Sequence, residues 1–389
     1  MYKCYLTCPR GLESLAKKEV FPFASSISEA KGGINFESSL EGLYNVNINS
    51  RVGMHLLVEL FTFEANNDDD LYQNIYKYPW HEYINIKQTF IIRTRGSSKK
   101  FENKNFTTLK IKDAIVDQIK KKKLTRPSIN KNNPDITISI FLDDNKFKVY
   151  SDSSGVSLHK RGYRNKIHKA ALNESLAAGL IMLSNWDMKS PFYDTMCGSG
   201  TIALEAALIA YKIAPGLLRS NFAFQQWNNY DEKLYYKIKK EAQDNISMND
   251  KIEIYGYDSE FANIVMAMYS TKLLNLSKYI KFKKQDMLNF NTDVKKGTLI
   301  INPPYGERLS DLDSVNTLYK MIGDVFKNKC VGFNCLVFTS NLDAAKNIGL
   351  QANKKIVLKN GSLDSRLLFY PIQKGNYEKK IEEQKSSSI

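Results

Sequence analysis

The sequence has few of the residues that build disulfide frameworks and metal sites. Only five cysteines and four histidines occur among 389 residues, and no two cysteines form a CxxC pair. No histidine stands near enough to a cysteine for a usual zinc spacing, so no metal site is predicted. The cysteines are expected to be reduced, as in an intracellular protein. His159 and His168 are interpreted as ordinary surface histidines.

Long apolar runs are also missing. No stretch of 18 apolar residues occurs, so no membrane-spanning helix is expected. The N-terminal segment carries charges within its first apolar stretch, which is not the pattern of a secretory signal peptide. We therefore expect a cytoplasmic location.

Positive charge is in excess. The chain has 56 basic and 41 acidic residues, a net charge of +15 and a pI near 9.3. This excess favours a polyanionic partner, most simply nucleic acid. Only ten of the basic residues are arginine, so the same bias can also reflect genome composition. Hydrophobic residues make up 43%, as in an ordinary globular protein, and the length suits two or three domains.

The first 158 residues are interpreted as two small α+β modules, divided near residue 60. In the second module we predict a strand at 89–95, an amphipathic helix at 107–123 and a hairpin-like pair at 135–142 and 146–151. No acid–base constellation occurs there. The charge of this module therefore suits a positioning role better than a catalytic one.

Clusters of cations mark the candidate nucleic-acid contacts. The strand at 89–95 ends in two arginines, and the helix at 107–123 ends in four lysines, which also suit the negative end of the helix dipole. Residues 156–164 interleave cations with Tyr163, as in a nucleic-acid path or in a solvated strap between domains. The candidate contacts are Arg93, Arg95, Lys120, Lys121, Lys122, Lys123, Lys160, Arg161 and Arg164.

From residue 170 the pattern becomes helix, strand, glycine loop and buried helix, the first unit of a nucleotide-type fold. A strand at 191–195 leads into Cys197-Gly198-Ser199-Gly200-Thr201, and an apolar helix at 202–210 follows. The glycines allow the backbone to approach a ligand closely. The loop lacks the Lys-Ser/Thr pair of a triphosphate loop and the third glycine of a GxGxxG fingerprint, so alone it is weak evidence for a cofactor site.

Acidic residues follow the next two predicted strands. The strand at 252–257 ends at Asp258, which can accept from both hydroxyls of a ribose. The strand at 280–284 is followed by Asp286 and Met287, which can accept from an adenine amine and lie against its ring. Residues 211–250 lengthen the connection to Asp258 and are interpreted as an insertion with its own helix at 231–245. The segment either packs on the core, which is the favoured role, or touches substrate.

A fourth predicted strand runs directly into Asn302-Pro303-Pro304-Tyr305, called here the tetrad. Asn302 offers an amide oxygen, and Pro304 keeps Pro303 extended, which fixes where its carbonyl points. Two such acceptors can hold both hydrogens of a planar exocyclic amine, and Tyr305 can cover the ring that carries the amine. The alternative is a proline-rich turn after a core strand.

These features all fall at the carboxyl edge of one predicted sheet, where open α/β folds bind ligands. A dehydrogenase does not need the tetrad, and a kinase would need a phosphate-binding lysine. The combination favours a nucleoside-containing methyl donor beside an amine acceptor.

Residues 170–371 resemble the class I S-adenosylmethionine-dependent methyltransferases, through the loop from Asp194 to Thr201 and the stretch from Asn302 to Leu309. Further motifs resemble the bacterial 23S rRNA guanine-N2 methyltransferase family over nearly the whole chain. These motifs are Arg10-Gly11-Leu12-Glu13, Gly32-Gly33, Lys112-Asp113-Ala114-Ile115-Val116-Asp117, Arg161-Gly162-Tyr163-Arg164 and Ala214-Pro215-Gly216-Leu217.

The resemblance implies an α/β protein with several domains. A ferredoxin-like module would occupy residues 1–60, a THUMP RNA-binding domain 61–158 and a basic linker 159–169. A Rossmann-like catalytic domain with a mostly parallel seven-stranded sheet would occupy 170–375, and a disordered tail 376–389. The cofactor would be S-adenosyl-L-methionine, and the partner large-subunit ribosomal RNA or its precursor particle.

The resemblance also implies roles for residues. Asn302 and the Pro303 carbonyl would bind the guanine N2 amine, and Tyr305, after Pro304, would stack on the flipped base. The cofactor would be held by Asp194, Met196, Cys197, Gly198, Ser199, Gly200 and Thr201 in the loop, by Asp258 at the ribose, by Asp286 and Met287 at the adenine, and by Asn302. Two alternatives stay open: methylation of another amine, such as adenine N6 or glutamine N5, and an RNA-remodelling assembly factor.

Overall fold

The structure is a computed structural model that describes residues 1–164, 172–248, 251–305 and 312–373. The chain forms two units. The first contains Met1–Cys8, Ala16–Leu158 and Pro215–Asp244, and the second contains Pro9–Leu15, His159–Ala214 and Asn245–Ile389. The tail predicted at 376–389, His168, and the end of the motif that follows the tetrad lie outside the described residues.

The N-terminal part of the chain alternates strands and helices. Its elements are β1 (Tyr2–Thr7), α1 (Glu13–Val20), β2 (Ala24–Ala30), β3 (Gly33–Ser38), α2 (Leu40–Asn49), β4 (His55–Glu64), α3 (Asp68–Lys77), α4 (Trp80–Tyr83), β5 (Thr89–Ser97), α5 (Lys104–Lys123), β6 (Ser128–Ile129), β7 (Ile136–Asp143) and β8 (Lys146–Asp152). The predicted strand, helix and hairpin at 89–151 correspond to β5, α5, β7 and β8.

One continuous eight-stranded sheet, in the order β2-β3-β1-β4-β8-β7-β5-β6, supports the first unit. The β1–β4 half has the connectivity of a ferredoxin-like fold, and antiparallel pairing of β4 with β8 joins it to the second half. The apolar face of α5 is buried through Ile111, Ile115 and Ile119, as its spacing predicts. The two modules read from the sequence therefore share one sheet.

Most of the inserted segment, Pro215–Asp244, belongs to the first unit. Its helix α8 (Glu232–Asp244) follows a loop in which the ring of Phe224 stacks on Tyr44 of α2, with ring centroids 4.3 Å apart. The Tyr44 hydroxyl accepts from the Asp231 backbone N–H at 3.0 Å. Arg219 is largely buried and donates to the carbonyls of Ser154, Val156 and Ser157. The segment therefore packs within the first unit.

The second unit contains the remaining elements. These are α6 (Glu174–Leu183), β9 (Phe192–Asp194), α7 (Thr201–Ala210), β10 (Ile254–Asp258), α9 (Phe261–Leu273), β11 (Ile280–Lys284), β12 (Gly297–Ile301), α10 (Leu312–Lys329), β13 (Phe333–Thr339), α11 (Leu342–Lys346), β14 (Lys354–Asn360) and β15 (Leu363–Pro371).

The seven strands of this unit lie in the order β11-β10-β9-β12-β13-β15-β14. β15 runs antiparallel to both of its neighbours, and the other pairs are parallel, so the sheet is mixed and mostly parallel, as predicted. β12 is fully buried, which explains why its sequence is a continuous apolar run. None of the helices within the described residues is both long and apolar enough to cross a membrane.

Candidate active site

Four parallel strands of the second unit end at the same edge of its sheet. β9 ends at Asp194 and β10 at Asp258, while Asp286 follows β11 and Asn302 follows β12. The strand order reverses between β9 and β12, so this edge is the topological switch point at which open α/β sheets bind ligands. The structure therefore places all four candidate residues at one edge.

Two glycines shape the loop after β9. Gly198 and Gly200 have φ angles of +52° and +82°, in the region that favours glycine. A Cβ on Gly200 would lie 2.8 Å from the ring of Phe282, whereas a Cβ on Gly198 would meet no atom within 4 Å. Packing thus requires the glycine at 200, and Gly198 faces open space.

The other loop residues are held against the protein. Met196 and Ser199 are half-buried, and Cys197 and Thr201 are buried. Burial raises the pKa of the Cys197 thiol, which keeps it neutral. The thiol is thus not a candidate nucleophile, and the loop contributes its shape and its backbone groups.

Asp194 is buried at the start of this loop. Neither of its carboxylate oxygens forms a hydrogen bond of good geometry among the described residues, although the backbone N–H groups of Met196 and Ala203 lie close enough to lower its pKa. Burial raises the pKa of Asp194 well above its usual value, and the backbone amides of Met196 and Ala203 offset only part of the rise. Buried acceptors without partners are unfavourable, so the position suits a ligand that brings a donor or a positive charge.

Asp258 is held by the protein. Its Oδ2 accepts from the Gly198 N–H at 2.8 Å, and its Oδ1 accepts from the Glu260 N–H at 2.9 Å and from Asn263 Nδ2 at 3.0 Å. A carboxylate has about four acceptor sites, so three protein bonds leave about one for a ligand. Acceptance from both ribose hydroxyls, as the sequence predicts, would need one of these bonds to open.

Asp286 and Met287 have different environments. Asp286 is exposed and caps a short 3₁₀ turn by accepting from the Leu288 N–H at 2.8 Å. Met287 is 2% exposed, and its sulfur accepts from the Thr195 hydroxyl. The Met287 side chain is therefore a core group that braces the glycine loop. The apolar side chain exposed beside Asp286 is Leu288, which was not among the predicted site residues.

The tetrad follows β12 directly. Asn302 and Tyr305 are half-buried, Pro303 is buried and Pro304 is exposed. The Tyr305 hydroxyl donates to Asn302 Oδ1 at 2.5 Å. Burial raises the pKa of the Tyr305 phenol, so it remains a neutral donor. Asn302 Oδ1, the predicted acceptor for a substrate amine, is thus hydrogen-bonded to Tyr305, the residue predicted to stack on a base.

One further residue touches the tetrad. Asn341, which follows β13, donates from Nδ2 to the Tyr305 carbonyl at 2.7 Å. No local sequence pattern distinguishes Asn341, because an asparagine before a short helix is an ordinary cap. Its position after the fifth strand of the sheet was the signal that could have been used.

The structure corrects the prediction that Arg161 contacts nucleic acid. Arg161 and Glu205 are both 0% exposed, and Arg161 Nε lies 3.5 Å from Glu205 Oε1. Tyr163 is also buried, and its hydroxyl donates to the same Glu205 oxygen at 3.0 Å. Arg161 is thus part of a buried polar cluster, because its charge needs a carboxylate partner once it is removed from water.

Arg164 is also turned inward. It lies 3.4 Å from Glu174 and donates to the Leu172 carbonyl and the Thr201 hydroxyl. It therefore braces the start of α7, and its guanidinium is already engaged by the protein. Lys160 is exposed and remains a candidate RNA contact.

The basic candidates of the first unit do not form one patch. Thr108 of α5 donates to Thr94 of β5 at 2.8 Å, so Thr94 faces α5. Side chains alternate along a strand, and Arg93 and Arg95 therefore point to the opposite face of the sheet. The lysines at the end of α5 are exposed on the helix side of the sheet. Each group remains a separate prediction.

The fold and this site define a class I methyltransferase. The family described as "RMKL-like, methyltransferase domain" matches residues 161–368, a THUMP domain matches 65–152, and the "RlmL ferredoxin-like domain" matches 3–57. The chain belongs to the RMKL-like methyltransferase family. The predicted family and fold class are confirmed.

Relatives of known name support this assignment. The chain is 34% identical to the "Putative RNA methyltransferase slr0064" of Synechocystis sp., over 95% of this chain and 96% of that protein. It is 33% identical to the "Ribosomal RNA large subunit methyltransferase K/L" of Cellvibrio japonicus, over 96% of this chain. The match covers 51% of that protein, so the chain spans about half its length.

A solved structure is similar along nearly the whole chain. The crystal structure of SMU.472, solved in complex with S-adenosylhomocysteine (SAH), superposes with a TM-score of 0.87 at 30% identity and covers 96% of this chain and 98% of that one. This chain is therefore also a methyltransferase, and its cofactor is S-adenosyl-L-methionine. The described residues contain no cluster of three or more His, Cys, Asp or Glu side chains suited to a metal.

The site has features that fit this cofactor. The Asp194 oxygens, which lack a well-formed hydrogen bond within the protein, offer acceptors to a cationic, donor-bearing ligand. The open space above Gly198 allows a ligand to approach the backbone. Asp258 and Asp286 would then lie on the ribose and adenine sides. These placements remain predictions for the individual residues.

The two loop glycines give a matched pair of variants. Gly200→Ala is expected to lower the free energy of unfolding by about 1–3 kcal/mol, because of its φ angle and the collision with Phe282. Gly198→Ala has a milder backbone strain and no collision, but its methyl group projects into the proposed ligand space. We expect Gly198→Ala to weaken SAH binding more than Gly200→Ala does. Urea denaturation and calorimetric titration with SAH measure the two effects; equal stabilities for the two variants would contradict this account.

Proposed function

We propose that this enzyme transfers a methyl group from S-adenosyl-L-methionine to the exocyclic N2 amine of a guanine in 23S ribosomal RNA. The observation that carries the proposal is the tetrad at the end of β12, at the same sheet edge as Asp194, Asp258 and Asp286. An amine acceptor site beside a nucleoside-binding edge is what methyl transfer to a base requires.

The tetrad supplies the acceptors for the amine. The guanine amine is a poor nucleophile, because its lone pair is delocalised into the ring. Asn302 Oδ1 and the Pro303 carbonyl would accept hydrogen bonds from its two N–H groups. These bonds would turn the nitrogen lone pair out of conjugation with the ring. When bound, S-adenosyl-L-methionine supplies a methyl group that is already activated on a sulfonium. Positioning of this kind lowers the activation barrier by roughly 7–11 kcal/mol. Because the methyl group is already activated, no strong base is needed before transfer.

The Tyr305 hydroxyl donates to Asn302 Oδ1 in the structure and occupies one of that oxygen's two acceptor sites, and we expect this bond to be released when a base binds. Release would free the phenol ring to lie against a base that has left its stack. Tyr305 would therefore exchange one contact with Asn302 for a stacking contact with the substrate. The proton of the methylated amine would leave after transfer.

The RNA substrate is supported by three observations. A THUMP domain precedes the catalytic domain, the net charge is +15, and several relatives carry the name of a ribosomal RNA methyltransferase. Lys120, Lys121, Lys122 and Lys123 are exposed and would contact phosphates. A cytoplasmic location follows from a ribosomal substrate.

The test is methyl transfer from labelled S-adenosyl-L-methionine to unmodified large-subunit ribosomal RNA, with DNA and protein as parallel acceptors, followed by nucleoside analysis. Labelled N2-methylguanosine is the expected product. Labelled N6-methyladenosine would keep the amine mechanism and overturn the guanine assignment. Label in protein alone would overturn the RNA substrate. If naked RNA accepts no label, the same assay on pre-ribosomal particles decides between a particle substrate and an assembly factor that does not need catalysis.

A further inference from the structure

The tetrad has few ways to be held in place by its own backbone. Pro303 and Pro304 have no N–H groups, so hydrogen bonds cannot fix these residues through donors. The Pro303 carbonyl is assigned above to the substrate amine. The carbonyls of Pro304 and Tyr305 are therefore the backbone acceptors that remain available for anchoring the end of the tetrad.

Asn341 occupies one of these acceptors. Its Nδ2 donates to the Tyr305 carbonyl at 2.7 Å, from the end of the neighbouring strand β13. Within the described residues, no other side chain forms a hydrogen bond with a backbone group of the tetrad. The contact crosses 36 positions of sequence, so it ties the tetrad to a part of the fold outside its own loop.

Asn341 is itself fixed at two other points. Its Oδ1 accepts from the Ala344 N–H at 2.9 Å, which caps α11. Its own backbone N–H donates to Thr339 Oγ1 at 3.0 Å. Thr339 is 0% exposed, and its hydroxyl shares a 2.7 Å hydrogen bond with the buried phenol of Tyr319. A chain of hydrogen bonds thus runs from the core of the sheet to the Tyr305 carbonyl.

We propose that Asn341 is a positioning residue for methyl transfer: its amide holds the Tyr305 carbonyl and so fixes the direction of the Asn302 and Pro303 acceptors. The inference rests on the function proposed above. Asn341 need not touch the substrate or the cofactor. Its effect is to keep the two acceptors in the geometry that the reaction needs, where a displacement of about 1 Å can lower the rate about 100-fold.

The decisive variant is Asn341→Asp. Aspartate caps a helix about as well as asparagine, so the bond to the Ala344 N–H is retained. The ionised carboxylate has no donor, and it would face the Tyr305 carbonyl with a repelling oxygen. We expect kcat for methyl transfer to fall roughly 10- to 100-fold, with the KM for RNA and the affinity for SAH within about threefold of the wild type.

Asn341→Ser is the second variant, because it also keeps a capping oxygen and loses the amide donor. Ser184→Ala is the structural control in the same unit. Ser184 is buried at the end of α6, where its hydroxyl donates to the Ile181 carbonyl at 2.7 Å and accepts from the Trp186 N–H at 3.2 Å. This control is expected to lower the melting temperature by a few degrees with kcat within about twofold of the wild type.

The comparison separates positioning from stability. The proposal holds if both Asn341 variants keep the melting temperature of the wild type and lose kcat at constant KM. It is overturned if Asn341→Asp turns over within twofold of the wild type, or if kcat falls only in proportion to melting temperature across the three variants. A wild type that transfers no methyl group to RNA, DNA, protein or particles would overturn the proposed function itself.

Discussion

Replacing Asn302 by alanine is expected to lower kcat for methyl transfer by roughly 10²–10³, with a much smaller loss of SAH affinity, since Asn302 is one of many residues predicted to hold the cofactor. The reason is that Asn302 Oδ1 would be lost as an acceptor, so one amine hydrogen would be left unbound and the lone pair would stay conjugated with the ring. The Tyr305 hydroxyl also loses its partner in this variant. Single-turnover rates with labelled cofactor measure the chemical step, and calorimetric titration with SAH measures cofactor binding.

Asn316→Ala is a matched control for this experiment. Asn316 lies on α10 in the same unit, and its side chain accepts from Asn347 Nδ2 at 3.0 Å, at the opposite end of α11 from Asn341. Its removal should leave the single-turnover rate within about twofold. A wild-type rate in Asn302→Ala would show that the tetrad does not act through its amide oxygen, whatever base is methylated.

Replacing Arg161 by methionine is expected to lower the free energy of unfolding by about 3–5 kcal/mol. Methionine fills much of the same space but leaves the Glu205 carboxylate buried without its cationic partner, since both side chains are 0% exposed. Denaturation in urea with linear extrapolation measures the loss. The double variant Arg161→Met with Glu205→Gln should recover part of it, because the uncompensated charge is then also removed.

Lys160→Met provides the contrast from the adjacent position. Lys160 is exposed, so this change should alter stability by no more than about 0.5 kcal/mol. If Lys160 contacts phosphate, RNA affinity should weaken and become less dependent on salt. Arg161→Met, where it remains folded, should bind RNA as the wild type does. The reverse pattern, with RNA affinity lost in Arg161→Met and its stability unchanged, would restore the original prediction for the linker.

Elements whose local sequence pattern has a direct structural consequence were predictable. The apolar run before Asn302 predicts a buried strand, because a strand covered on both faces needs apolar side chains throughout. The polar strand β2 was not predicted, because its side chains do not alternate between apolar and polar and none of them is fully buried. It forms because its backbone N–H and C=O groups pair with those of β3, and this pairing does not depend on the side-chain pattern.

The candidate site shows the same division. Because parallel strands end at one edge, the positions of Asp194, Asp258, Asp286 and Asn302 along the chain were sufficient to place them together. Their hydrogen-bond partners were not predictable in this way. The bond from Asn341 to Tyr305 spans 36 positions, and the bond from Gly198 to Asp258 spans 60.

By itself, the sequence determined the class of fold and the places along the chain of the strands that carry the site, and it predicts the chemistry of the tetrad, because periodicity, glycines and prolines act within a few residues. Only the tertiary structure decided that Arg161 is buried with Glu205, that the inserted segment packs in the first unit and that the Tyr305 hydroxyl meets Asn302. The first two of these contacts join residues that are distant in the sequence. A charge or hydrogen-bonding group that is buried away from water needs a partner within the protein, and local sequence patterns do not show which side chain will supply it.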